Sequence, residues 1–580
     1  MGRVNWQEQP KLLVGLSVVW LVVINGVAFL WHLGSTGLVD ETEPLFAEAA
    51  RLMLVKGDWV TPYWNGETRF DKPALVYWLM AFCYKLLGIN EWGARLPSAF
   101  SAIALVVFLF YVLRCYGCTH DNRSPKQLWL GAYIGSGLLA LNPQTIAWAR
   151  VGVSDMLLSA CIGGSLLAFF MGYVQSQQPE HQRATAWYMA FYGLMGLGVL
   201  TKGPVAVVLP GLTILAFTLY FGNTGRVWRE SLPLRGWLLF AVITLPWYLA
   251  ITVAQGWNFI NAFFGYHNVE RFTAVVNRHW APWYFYFVVV ALGAFPVSVY
   301  LPQAIARLQV HRRSWWLRSP RSQHLGIFAL IWFLVVFGFF SIATTKLPSY
   351  VLPLMPAVAI LLALLWSDPP VKSTPRPLLA SSIGNLIILL AAAAASYWAV
   401  SWIGLDPMAP QLKEALQASG LPVAGMWFWL ASAIAVGVCI WLRQEWWAWS
   451  VNTTALLLAV VMLLTPAKEI YDQQRQLPLR QLSMVVNQLR RPNEELIMIG
   501  DTKPSVVFYT QNRVKYLWAA QQVLPHLGET MRVELGRESA LIIATRDNLR
   551  ATGLKGRNWD TLGRGGPYRL VRVSIAKINQ

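Results

Sequence analysis

Long apolar runs follow one another from residue 12 to residue 465 of this 580-residue chain, and beyond them the pattern breaks into shorter pieces. The runs lie near 12–33, 92–113, 128–148, 155–174, 187–201, 203–222, 234–254, 281–303, 325–343, 347–366, 378–402, 424–442 and 446–465. Each reaches or approaches the roughly 20 residues an α-helix needs to cross a hydrocarbon core, so thirteen spans are expected. After Pro466, strand-length runs at Leu496–Ile499 and Ala540–Ala544, a short candidate at Val514–Leu517 and an alternating stretch at Tyr568–Ile575 appear. Helical patterns at Leu477–Arg491 and Ala519–Leu527 lie between them. This order predicts a small α/β domain outside the membrane, and a division of the chain into 1–466 and 467–580.

Between the first two spans the pattern is interrupted by a charged island, Asp40–Trp78. Thr42, Pro44 and Gly57 suit the cap, first turn and end of a helix. Leu45, Phe46, Ala49, Leu52 and Met53 recur at helical spacing with Glu48 and Arg51 opposite them, which predicts an amphipathic helix lying on the membrane with those two charges on its wet side. Residues 76–88 form a second short apolar segment, assigned to the interface.

Composition turns this pattern into a class. The chain is 56% hydrophobic and 13% charged, with a mean hydropathy of +0.44, far too apolar for a soluble domain. Thirty Trp and 21 Tyr supply interfacial belts. The first run has no small-residue cleavage site after it and reads as a retained helix. Five scattered cysteines imply no disulfide framework, and Cys115-x-x-Cys118 with His120 lacks a second pair of metal ligands.

The net charge of +19 would fit nucleic acid or an anionic membrane, and its placement decides for the membrane. With a cytoplasmic N-terminus, alternate loops carry Arg114, Arg123 and Lys126; Arg183; Arg226 and Arg229; Arg307, Arg312, Arg313, Arg318 and Arg321; Lys372 and Arg376; and Arg443. This is the positive-inside arrangement of a multi-pass plasma (inner) membrane protein. The same parity puts the island, Arg150, Lys202, His267, Lys346 and the C-terminal domain together on the outer face.

Those residues suggest a chemistry. A phosphate held at a membrane surface needs cations that cannot retreat into water, and Lys72, Lys202, Lys346 and Arg150 are candidates. Arg95, just inside a span, either marks an interface or joins them. A nearby carboxylate would draw the proton from an attacking hydroxyl. The island holds seven of the chain's 28 acids, so both kinds of group lie in one loop. Carboxylate base plus cations on an anionic leaving group is the constellation of glycosyl transfer from a lipid phosphate.

The segments E-x-x-x-x-AE-x-A-R-x-M, GDWVTPYWNGETRFDKPALVYW, GARLPSA, ARVGVSD, LTKGPVA and KLPSYVLPLMP occur in that order. In this the chain resembles the integral-membrane glycosyltransferases of the protein O-mannosyltransferase and aminoarabinose (lipid A) transferase type, which have the GT-C fold. The resemblance implies a mainly α, polytopic membrane domain of about thirteen helices with a C-terminal α/β domain. It implies transfer of a sugar, with inversion, from a polyprenyl-phosphate donor to a lipid, protein or glycan acceptor on the outer face, with membrane lipids as the other partner and no nucleic acid.

Residue by residue, the resemblance makes one of Asp40, Glu41 and Glu43 the general base, with Asp40 preferred and Asp155 in support. It gives the donor phosphate to Lys72 with Arg150 or Lys346, in a set that includes Lys202, Tyr350 and Arg95. Asp71 and His267 are the side chains a divalent metal ion would use. There is a departure: where the aminoarabinose branch begins Asp-Glu, one residue, Arg-Tyr and then Ala-Glu, alignment on Ala47-Glu48 puts Thr42 and Leu45 at the Asp and Arg positions. Two rival expectations are a transporter or flippase of a lipid-linked sugar and a non-catalytic relative.

Overall fold

The computed structural model describes residues 10–119, 124–177, 181–270, 280–367, 378–533, 539–554 and 559–574. His120, Arg123, Lys372, Arg376 and Ile575 lie outside them. Helix occupies each of the thirteen expected positions, because an apolar run in lipid must close its backbone hydrogen bonds on itself. Among the described residues nine of these helices are long and apolar enough to cross a membrane, and a tenth crossing would be Phe285–Gly293 with Val297–Arg307, a pair bent by 107°. The chain is a multi-pass membrane protein. Its two most enclosed spans, Ser154–Gln175 and Pro348–Ser367, have 94% of their apolar windows buried, so the other helices are arranged around them.

The charge parity read from the sequence is reproduced in space. At one end Arg321 pairs with Glu230 and donates to the carbonyl of Tyr173, Arg226 pairs with Glu230, and Arg307 donates to the carbonyl of Leu365. At the opposite end lie the island, Asp155, Lys202 and Ser349.

The last span does not stop near 465. Helix runs through Glu445–Arg475 and is followed by helix Leu477–Leu489, which leads into the sheet. We number the strands in chain order: β1 Tyr63–Trp64 and β2 Glu67–Thr68 in the island, then β3 Glu495–Ile499, β4 Val514–Leu517, β5 Ser539–Thr545, β6 Trp559–Gly565 and β7 Tyr568–Ser574. The C-terminal sheet has the order β4-β3-β5-β7-β6, with β3 parallel to β4 and β5, and β7 antiparallel to β5 and β6. Alternation along β3 sends Leu496 and Met498 to one face, against Leu479, Leu482 and Val486. Ile497 and Ile499 go to the other, against Val523 and Leu527. The strand β6, WDTLGRG, had no apolar alternation to reveal it.

The island differs from its expected place. Its helix, Glu43–Lys56, does not lie on the membrane with Glu48 and Arg51 wet: both are buried, and they form a bidentate pair at 2.7 and 2.7 Å. The reason is that two apolar faces meet there. Phe46, Ala49 and Met53 pack with Val76, Tyr77 and Met80 of helix Leu75–Leu87 and with Phe508 of the C-terminal domain, so the helix is covered on more sides than one membrane surface provides.

Candidate functional site

Three chain segments converge on the island at one end of the bundle. Asp155 stands in the first turn of Ser154–Gln175 and accepts a hydrogen bond from Lys202 Nζ at 2.8 Å. The Ser349 hydroxyl also bonds that carboxylate, and the charge of Lys72 is within electrostatic reach of it. Lys202 in turn lies over the ring of Tyr350, 5.6 Å from its centroid. Both enclosed spans thus begin at this point, with their positive N-terminal ends facing the site, a geometry that favours an anion.

Lys72 is buried and is held back by the chain itself, its Nζ donating to the Asp71 carbonyl at 2.7 Å and lying 3.7 Å from Asp71 Oδ2. Asp71 is gripped by Arg69 through Nε and Nη2, both at 2.7 Å, and by the Tyr77 hydroxyl at 3.4 Å. Arg69, Lys72 and Lys202 thus gather with the carboxylates of Asp71 and Asp155. Lys346 turns onto the Ala343 carbonyl at 2.7 Å, three residues before Ser349. Asp71, the carboxylate expected to hold a divalent ion, has both of its oxygens facing cations. No group of three or more metal-ligating side chains occurs among the described residues, and the side chain of His267 lies outside them.

The three acids of the first loop have different surroundings. Glu43 is fully buried, and its four acceptor positions are filled: Oε1 by Arg95 Nε and Gly152 N, both at 2.7 Å, and Oε2 by Val39 N at 2.7 Å and Arg95 Nη2 at 2.9 Å. Burial pushes its pKa up, but the Arg95 charge and these bonds more than offset that and hold it below the usual carboxylate range. A carboxylate so enclosed has no lone pair for a substrate hydroxyl. Arg95 is its counterpart and corrects the expectation of phosphate binding. Its remaining donors go to the carbonyls of Leu33, Thr36 and Gly37 at 2.7 to 2.9 Å, so all five N–H groups stay within the protein.

Asp40 accepts from the backbone N–H of Ser505 at 2.9 Å and from the Ser505 hydroxyl, at the start of helix Pro504–Thr510. Burial raises its pKa to about 6, against the lowering effect of the Ser505 bonds and of Lys503. Glu41 is exposed, 3.3 Å from Lys503 Nζ. Among the described residues Arg150 pairs with no acid: it donates to the carbonyls of Ala28 at 3.1 Å and Trp31 at 2.6 Å and lines an apolar chamber.

Residues 71–249, which contain Lys72, Asp155 and Lys202, match the family model described as dolichyl-phosphate-mannose-protein mannosyltransferase. Residues 489–580 match the C-terminal domain of cyanobacterial RgtA-type glycosyltransferases. The chain is 33% identical over 345 residues to a Shewanella sediminis protein named undecaprenyl phosphate-alpha-4-amino-4-deoxy-L-arabinose arabinosyl transferase, a match covering 58% of this chain and 57% of that one. A protein of the same name, numbered 2, from Pseudomonas fluorescens is 28% identical over 441 residues, covering 72% and 70%. The matched stretch thus spans little more than half the length of the Shewanella relative. The crystal structure of ArnT from Cupriavidus metallidurans bound to undecaprenyl phosphate has the same fold, with a TM-score of 0.79 at 22% identity, over 96% of this chain and 98% of that one. The chain has the GT-C fold of that structure and is similar in sequence to membrane glycosyltransferases of the aminoarabinose transferase type.

Beside these relatives, the departure at the loop has a visible form. Thr42 is exposed and makes no capping hydrogen bond, Leu45 is half-buried, and the acids on either side, Asp40 and Glu43, are the ones engaged. Sequence reasoning did not single out Ser349 or Ser505, although Ser349 lies inside a segment that carried the resemblance. A serine carries no charge or periodicity to mark it, and only proximity to Asp155 or Asp40 reveals its role.

Proposed function

We propose that this protein transfers a sugar from a polyprenyl-phosphate donor to a lipid, protein or glycan acceptor, with inversion, at the extracytoplasmic face of the plasma (inner) membrane. The observation that carries the reading is the joining of Asp155, Lys202, Lys72 and Ser349 from four segments into one largely buried cluster that holds two lysines. In a site shielded from water, such cations stabilise negative charge that grows on a departing phosphate, which is where a glycosyl transfer needs help. Lys72, Lys202 and Lys346 are its donor-phosphate ligands, with Tyr350 beside Lys202. The names of the related proteins support a lipid-linked donor, and the positive-inside loops support the orientation, with the N-terminus cytoplasmic.

Asp40 is the proton acceptor of this reading. A carboxylate with a pKa of about 6 is ionised at neutral pH and more basic than an ordinary one. Helix Glu43–Lys56, which begins three residues after Asp40, adjoins the cluster: Phe46 lies 5.7 Å from Tyr77, with the Arg69 guanidinium 5.0 Å from the Phe46 ring. The test is transfer from an undecaprenyl-phosphate sugar by purified protein in nanodiscs. Lys202→Met and Asp155→Asn are each expected to lower the rate by about 10² or more. The intact chain loses activity as pH falls through about 6, as the base takes up its proton. Full activity in both variants would sink the site assignment, and a rate indifferent to pH between 5 and 7 would remove Asp40 from its role.

A further inference from the structure

The C-terminal domain meets the island at the carboxyl end of β3. Helix Pro504–Thr510, which follows β3, packs Val506 and Val507 on one face of the sheet, and helix Val523–Val533, which follows β4, packs Val523 and Leu527 on the other. Because β3 pairs with β4 on one side and β5 on the other, its carboxyl end is where the winding reverses, the place at which open α/β sheets carry their functional residues. The segment leaving it, 500–505, brings Asp501, Lys503 and Ser505. What meets that segment is Asp40, 465 residues before Ser505.

Ser505 takes one lone pair on each Asp40 oxygen, with its N–H on Oδ1 at 2.9 Å and its hydroxyl on Oδ2. Lys503 stands beside them. Its side chain is buried, with Nζ 3.3 Å from Glu41 Oε1 and 3.5 Å from Asp501 Oδ1. Its carbonyl accepts from the Tyr516 hydroxyl at 3.0 Å, which fixes the backbone that carries it. The other ionisable groups within electrostatic reach of Asp40 are Glu41 beside it, Tyr471 of the last span, Tyr516 of β4 and Tyr568 of β7. Phenols are uncharged at neutral pH. Lys503 is thus the cation that opposes burial, which pushes the Asp40 carboxyl toward its neutral form.

A clamp that only fastened the domain to the island would be complete with the two Ser505 bonds, and an ammonium taken out of water beside them would add a desolvation cost. A proton acceptor needs more: a lone pair kept for the attacking hydroxyl, and ionisation at the working pH. Ser505 leaves a lone pair on each oxygen, and Lys503 favours the ionised form. We infer that Lys503 and Ser505 are positioning residues for Asp40, so that the C-terminal domain completes the active site; the inference rests on Asp40 being the proton acceptor of the proposed transfer.

The test is transfer from an undecaprenyl-phosphate sugar by the purified full chain in nanodiscs, with kcat/KM followed from about pH 5 to about pH 9. Lys503→Gln removes the charge and keeps a hydrogen-bond donor. It is expected to move the acid limb up by about one pH unit, as loss of a nearby cation does to a carboxylate; the rate then falls about tenfold further at pH 5 and matches the parent at pH 9. Lys503→Arg keeps the charge and should leave the limb in place. Ser505→Ala removes a donor from Asp40 and should move the limb the same way as Lys503→Gln, which keeps the question answerable should either variant fail to fold. A limb unmoved in the folded variants, a rate lowered equally at every pH, or a limb moved as far by Lys503→Arg as by Lys503→Gln would overturn the inference. Asp40→Asn tells that failure from failure of the base assignment. Transfer lost in Asp40→Asn with the limb unmoved in the other variants leaves Asp40 as the base and rejects only its positioning, whereas transfer retained in Asp40→Asn rejects the base itself.

Discussion

Glu43 and Arg95 show how far a residue's chemistry depends on what closes around it. Both were candidates for the reaction, and both are sealed inside the protein, where they tie the loop Leu33–Gly37, the island helix and the turn at Gly152 into one knot. Removing one member strands the other as a buried charge, a loss on the order of 3–5 kcal/mol. Arg95→Leu is therefore expected to lower the thermal melting temperature sharply, and the double change Glu43→Leu with Arg95→Leu to recover part of the loss, as read by a melting assay in detergent. Glu43→Gln should be milder, because the amide keeps a carbonyl oxygen for one of its donors. A single Arg95→Leu chain that melts like the parent would show that the pair bears little of the loop's stability.

At the scale of elements, the hairpin β1–β2 is the feature that most changes the view of the island. Asn65 and Gly66 form its two-residue turn with φ of 52° and 90°, the left-handed pair that an Asn-Gly sequence adopts most readily. The turn does more than reverse the chain. The Asn65 side chain accepts from the N–H of Val514 at 2.9 Å and donates to its carbonyl at 2.9 Å, so it pairs with β4 at the edge of the sheet as a neighbouring strand would. Trp64 stacks on Tyr516 beside it. Asn65→Ala removes two hydrogen bonds, each contributing about 0.5–1.5 kcal/mol. The expected outcome is faster hydrogen–deuterium exchange along Val514–Leu517 with the membrane spans unchanged; unaltered exchange there would mean that the hairpin does not hold the sheet.

For the whole molecule, the island is a clamp between the bundle and the C-terminal domain rather than a free loop. Tyr509 donates to Glu91 at 2.9 Å and accepts from the N–H of Leu38 at 2.9 Å. Ser505 holds Asp40, Asp472 takes the N–H of Gly37 at 2.7 Å, and Phe508 packs into the island's apolar cluster. A chain truncated before Leu477 would leave all but the Asp472 contact unmade. It should show loss of protection from proteolysis at residues 37–58 and a lower melting temperature, measured by limited digestion and by fluorescence-detected gel filtration. A truncated chain as protease-resistant as the parent would show that the island folds onto the bundle unaided.

Much of this architecture was written in local pattern. Apolar run length alone located helix at every expected span, because lipid leaves the backbone no alternative. The parity of basic loops grouped Lys72, Asp155, Lys202 and Lys346 at one end, and strand-length runs marked β3, β4, β5 and β7. The Asn-Gly turn was equally available in the sequence and went unread. Other features needed the tertiary structure, since burial and partnership are properties of neighbours distant in the chain. Those neighbours decided that Glu48 and Arg51 are covered, that Glu43 and Arg95 spend every hydrogen-bonding site on each other and the backbone, and that Arg150 faces an apolar chamber with Lys468. A charged residue reads the same in sequence whether it meets a substrate, a partner or a void, and only packing assigns it one of the three.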